Sequence, residues 1–255
     1  MRPGPDADAV DLLYQRVLRA GEDAGAVRSL LSAHQPEEKV LVSLLRRALP
    51  IRFLEQVART PPWSERPMVL ARVVLNPRAP RGLSLRLVSS LYWRDLALVS
   101  TSPTVPGTVR VRAEASLRDL LPDLRLGERI ALGKIATPVV LTPLLSDPDA
   151  RVLEAALLNP RLREEDLVTA LRRETASRPL AEVAASSPRW KERYAVRLAL
   201  ALQPRTPLPL ALLQLSSLIK ADLIRVSRTQ GLAPLVQAAA LATVERLATL
   251  RGSAR

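Results

Sequence analysis

The 255 residues contain no cysteine, which removes thiolate zinc sites and thiol nucleophiles together. Histidine is nearly as scarce. The one copy, His34, has no second imidazole and no GxSxG elbow to work with, so it reads as a surface residue in the turn after Leu31. Glycine numbers nine and is scattered, and the nearest approach to a phosphate loop, GERIALGK over 127–134, lacks both the spacing and the Ser or Thr that such a loop needs. Aromatic residues make up 3%, and no stretch shows the period-two alternation of β-branched and aromatic side chains that strands require. Long apolar runs are missing too. Ala195–Ile219 is broken by Gln203, Pro204 and Arg205, and Leu232–Val244 is too short for a bilayer, so the latter is expected to be the last buried helix. The start lacks the apolar segment of a signal peptide, and the missing cysteine fits a reducing compartment, so a cytoplasmic protein is expected.

What is abundant is repetition. The stretch Pro61–Ser100 returns, without a gap, 127 residues later as Pro188–Ser227, matching Trp63 with Trp190, Arg66 with Arg193, Leu75 with Leu202, Pro80 with Pro207 and Asp95 with Asp222. Within that period, leucines that close a helix before a turn stand at Leu31, Leu75, Leu117, Leu158 and Leu202, at intervals of 41 to 44 residues. Such regular spacing predicts stacked helical repeats. After the markers come breakers such as LNPRAP, LNPRL and LQPRTP, where proline stops the helix and Asn76 or Asn159 is expected to close it in the left-handed conformation. Pro80–Leu91 carries apolar residues at helical spacing, Asp95 is placed as the cap of a short LALVS helix, and Pro106 opens a helix running to Leu117. The predicted fold is therefore all-α, a right-handed solenoid of about six three-helix repeats of ~42 residues with a 127-residue internal duplication. One solenoid domain is expected over 10–249, with halves of about 22–148 and 149–249, a disordered tail over 1–9 and a frayed end over 250–255.

The run of VR or VL, further apolar residues, LNP, an RxP turn and a leucine-rich helix resembles the HEAT, armadillo and leucine-rich-repeat-variant group of bacterial α-helical repeats, over about Val10 to Leu247. That resemblance implies a superhelix that binds partners on a concave face lined by the last helix of each unit. The variant group sometimes carries an iron–sulfur cluster on cysteines, which this chain cannot hold.

The net charge of +13 is uneven, since 64–127 carries +5 and 192–255 carries +6, against +1 in each remaining quarter. All but four of the 38 basic residues are arginine, the side chain suited to bidentate capture of carboxylate or phosphate. Arg66 with Arg193, and Arg112 with Arg197, five residues before their marker leucines, are the candidate partner-binding residues. Trp93 and Trp190 are secondary candidates, because a tryptophan beside arginine can stack on a base, although the duplicated Trp63 and Trp190 also suit packing between helices. Glu37–Glu38 and Glu164–Glu165 fall where a helix begins, and Asp95 and Asp222 read as caps, so no catalytic or metal-binding set emerges and no cofactor is expected. The function expected is a non-catalytic scaffold for an acidic partner, a protein first and a nucleic acid second. The second reading would make the chain a HEAT-repeat DNA glycosylase, and it needs Trp93 or Trp190 exposed beside an aspartate in the binding groove.

Overall fold

The computed structural model describes residues 5–252. Every regular element among them is helical, with 17 α-helices, two 3-10 turns and no strand. The chain divides into two compact units, Met1–Asp123 and Leu124–Arg255, where the sequence reading had one domain with halves meeting at 148/149. The first unit holds α1 (Pro5–Ala20), α2 (Ala24–His34), α3 (Glu38–Leu44), α4 (Ile51–Val57), α5 (Pro67–Leu75), α6 (Arg81–Val88), α7 (Trp93–Thr101) and α8 (Gly107–Leu120). The second holds α9 (Leu126–Ile135), α10 (Pro138–Leu144), α11 (Ala150–Leu158), α12 (Glu164–Arg172), α13 (Arg178–Ser186), α14 (Tyr194–Leu202), α15 (Leu208–Leu215), α16 (Lys220–Arg228) and α17 (Pro234–Gly252). Two sequence expectations change at the ends. Residues 5–9 belong to α1 rather than to a disordered tail, and the helix expected to fray from 250 runs to Gly252, while 1–4 and 253–255 lie outside the described residues.

Proline sets many of the starts. Pro50, Pro80, Pro106 and Pro207 stand immediately before α4, α6, α8 and α15, and Pro67 and Pro138 open α5 and α10. Its φ is already helical and its missing N–H would have been unpaired there. Leucine marks several ends. Leu75, Leu158 and Leu202 are the final residues of α5, α11 and α14, whereas α2 and α8 run on past Leu31 and Leu117. Helices of seven to nine residues, such as α3, α4, α10 and α12, cannot persist alone, so packing must hold them. Each touches its neighbour in sequence or the next helix but one, as α1 with α3, α3 with α5 and α5 with α7 in the first unit, and α10 with α12, α12 with α14 and α14 with α16 in the second. The core of the first unit gathers Val17, Val27, Leu41, Leu44, Phe53, Leu54 and Trp63, each leucine contributing about 1.5–3 kcal/mol by burial. In the second unit α9 and α11 approach so closely that a Cβ at Gly133 would meet the Ala156 amide nitrogen at 3.2 Å, so a larger residue there would push the two helices apart by a few tenths of an ångström. The expectation of a buried last helix holds for one side only of α17, because Val236 and Ala240 are buried while Leu235 and Leu241 are exposed.

The helix ends are closed by a device that sequence propensity missed. Asn76 and Asn159 have φ of −67° and −62°, extended rather than left-handed, and the only non-glycine residue at positive φ among the described residues is Gln35, after α2. The amides reach elsewhere. Buried Asn159 donates from Nδ2 to the carbonyls of Gly133 (2.8 Å) and Ala136 (3.1 Å), while its Oδ1 accepts the Arg161 N–H (2.8 Å). Asn76 does the same to Leu45 (2.9 Å) and Arg47 (2.7 Å), with the Arg78 N–H returned to it (3.0 Å). Gln203 repeats the pattern with Leu171, Arg173 and the Arg205 N–H. Each side chain thus satisfies two carbonyls near the end of an earlier helix, and for Asn159 both of these are buried.

A second long-range cap joins α4 to the turn before α2. The Glu22 carboxylate accepts the N–H groups of Ile51 and Arg52, both at 3.0 Å, and these bonds, led by that from Arg52, hold its titration below the ordinary glutamate value.

Two outcomes follow for stability. Asn159→Ala leaves two buried carbonyls unpaired and lowers the free energy of unfolding by about 2–3 kcal/mol in urea denaturation, with Asn76→Ala close behind. Glu22 titrates lower in the folded chain than in the unfolded chain, so its contribution is complete above the unfolded value and is lost as pH falls through the folded one. The stability difference between the parent and Glu22→Gln therefore shrinks from pH 7 to pH 3 in the same assay.

Candidate functional site

Arg66 and Arg193 occupy matching places. Each is the residue before a helix, α5 and α14, and each faces a glutamate at the start of an earlier helix: Arg66 with Glu38 at 3.5 Å and Arg193 with Glu164 at 4.0 Å. Their side chains remain 57% and 61% exposed. Arg197 follows Arg193 on α14, but its guanidinium is spent locally, donating to the Lys191 carbonyl (2.9 Å) and to the Glu192 carboxylate. Arg112 is exposed on α8. Arg66 and Arg112 belong to the first unit, Arg193 and Arg197 to the second.

The tryptophans are packed. Trp63 and Trp190 are 4% and 3% exposed, and their indole N–H groups donate to the carbonyls of Pro36 (3.3 Å) and Leu157 (2.8 Å). Arg189 lies over the Trp190 ring at 4.3 Å while its guanidinium donates to the carbonyls of Asn159 and Leu162. Trp93, the first residue of α7, is 9% exposed, with Arg94 beside its ring at 5.2 Å. No described tryptophan therefore presents an open ring face next to an aspartate, which is the arrangement base excision would need.

Asp95 and Asp222 differ from the caps read in the sequence. The helices start two residues earlier, at Trp93 and Lys220, so both acids lie inside the first turn, where a carboxylate faces the positive end of the helix dipole. Neither helix has a side-chain cap at its preceding residue. Burial raises the Asp95 carboxyl above the ordinary aspartate value, opposed by the charge of Arg72. Asp222 instead accepts the Tyr194 hydroxyl proton, and that oxygen takes the Ile219 N–H at 3.3 Å. His34 ends α2, exposed, with its ring nitrogen near the Leu30 carbonyl. Among the described residues no group of three His, Asp or Glu side chains is placed to hold a metal ion, and no helix is long and apolar enough to cross a membrane.

The structure adds basic residues that sequence reasoning did not single out. A cavity of about 420 Å³ in the second unit is lined by Arg172, Arg173, Arg205 and Arg225, with Glu174 the one carboxylate. They come from the end of α12, the loop after α14 and the last turns of α16. Two of them could have been found from the repeat, since Arg173 and Arg205 stand 127 residues after Arg46 and Arg78.

No protein-family model, curated protein or solved structure matches the chain.

Tyr194 offers a direct check on the α14–α16 contact. Burial, together with the bond to Asp222, raises its hydroxyl above the ordinary tyrosine value. In ultraviolet titration of the three tyrosines, one is expected to ionise later than the rest, and Tyr194→Phe removes that late component.

Proposed function

We propose that the chain is a non-catalytic interaction scaffold, a duplicated array of three-helix repeats of the HEAT, armadillo or leucine-rich-repeat-variant kind, that holds an acidic protein partner against its arginines. Support for the duplication comes from five helix starts, those of α4 to α8, that recur 127 residues later as the starts of α13 to α17. The marker leucines fall in α2, α5, α8, α11 and α14, every third helix, which supports a unit of three, and we read the array as a right-handed solenoid of about six such units. Function at a reducing, cytoplasmic site without a cofactor belongs to the same proposal.

The observation that carries the binding role is the matched setting of Arg66 and Arg193. Each guanidinium is oriented by a loose, exposed ion pair, and such pairs contribute only about 0–1 kcal/mol. Carboxylates of a partner can therefore replace Glu38 and Glu164 at little cost, with Arg112 adding charge in the first unit. Burial of Trp63, Trp190 and Trp93 weighs against base excision, and this favours a protein over a nucleic acid.

Binding of a labelled acidic peptide, a DNA duplex and a DNA single strand across a salt series tests the proposal. The peptide is expected to bind in a salt-sensitive way and to lose about tenfold in affinity in Arg66→Glu/Arg193→Glu, a change of about 1.4 kcal/mol. DNA that binds more tightly than the peptide, with a steep salt dependence abolished by Arg112→Glu/Arg197→Glu, would replace this reading with the nucleic-acid one.

A further inference from the structure

The cavity between α12, α14 and α16 has a chemistry of its own. Arg172, Arg173, Arg205 and Arg225 surround it and are exposed, and among the described residues none of the four forms an ion pair. With Glu174 the wall carries a net charge of +3, four guanidiniums less one carboxylate. The lining also includes the apolar Ala199, Leu202 and Pro204.

Backbone acceptors that might have balanced those donors are already engaged. The carbonyls of Leu171 and Arg173 take the Gln203 amide, and the Thr229 carbonyl takes the Gln237 amide at 2.7 Å. The Thr229 hydroxyl gives its proton to the Arg225 carbonyl at 2.8 Å. What the cavity has left to offer is chiefly N–H donors and positive charge.

The repeat shows how this charge arose. Arg78, 127 positions before Arg205, lies 4.0 Å from Glu22. Where Glu22 stood is Asp149, held by Arg151 at 2.9 Å, so the carboxylate matching that partner of Arg205 is turned elsewhere. Arg172 and Arg225 stand where the first unit has Leu45 and Leu98, and so add two charges that the first unit lacks.

We propose that this cavity binds a compact polyphosphate, a small molecule carrying two or more adjacent phosphate groups. A guanidinium fork matches the geometry of phosphate oxygens, and arginines from three segments can share one multiply charged ligand without competing for a single oxygen. A volume of about 420 Å³ lies at the small-ligand end of binding sites, with room for a chain of phosphates and an uncharged body against the apolar lining residues. This site is separate from Arg66 and Arg193, and the proposal does not depend on the scaffold reading.

The test is calorimetric titration of the full chain with inorganic triphosphate at about 0.15 M salt, where long-range attraction is screened. Orthophosphate and sulfate serve as comparison ions. One site is expected, at least tenfold tighter for triphosphate than for orthophosphate. Arg205→Gln/Arg225→Gln, and separately Arg172→Gln/Arg173→Gln, should each weaken it at least tenfold, while Arg86→Gln/Arg118→Gln, which removes equal charge from the first unit, changes it less than twofold. Unchanged urea midpoints confirm that the variants fold. Equal weakening by all three pairs would reduce the effect to net charge, and triphosphate no tighter than orthophosphate would mean an adventitious ion only; either result overturns the proposal. So would a DNA single strand of equal charge that binds more tightly through the same four arginines, because the phosphate would then belong to a macromolecule.

Discussion

The side-chain amides at Asn76, Asn159 and Gln203 are the constraint on which the rest depends. A protein made of helices this short has a large number of helix ends, and every end leaves carbonyls without a partner inside its own helix. Water satisfies those groups at a surface, but these ends are packed against neighbours. An amide has both a two-proton donor and an acceptor, so one side chain can serve two carbonyls behind it and one N–H ahead of it. Gln203 performs the same task with one more methylene, which identifies the amide itself, rather than the residue asparagine, as the requirement. At the corresponding position after Leu117 stands Arg118, and there α8 does not stop but continues to Leu120 and into a 3-10 turn, where the first compact unit ends.

Much of the helical layout was legible because its punctuation is local. Proline fixes its own φ, so Pro80, Pro106 and Pro207 could be read as helix starts without knowledge of anything distant. Apolar spacing over Pro80–Leu91 marked α6 for the same reason. The asparagines were misread because their partners lie far back in the chain, and a propensity scale sees only the turn in which they stand. Asp95 and Asp222 were misplaced by a smaller margin, as Trp93 and Lys220 give no sequence signal that the helix has already begun.

The candidate binding residues were less legible than the fold. A sequence displays every arginine alike, whereas function depends on which ones keep an unspent charge. Arg197 looked as good a candidate as Arg193, yet it closes on Glu192 and the Lys191 carbonyl. The arginines of the second-unit cavity stand out only once the fold brings Arg172 and Arg173 beside Arg205 and Arg225, with Asp149 held by Arg151 instead. Charge surplus can be counted from composition; its availability is a property of side-chain pairing.

The reach of the amide bonds also bears on how the chain acquires its structure. Each joins residues between 23 and 32 positions apart, so closing one requires ordering only a short loop. Contacts of such modest sequence separation favour rapid folding. During synthesis, every earlier helix can be fastened as soon as the next amide leaves the ribosome, before the distant half of the protein exists. The same bonds that finish the helices thus give assembly a direction, from the N-terminus onward.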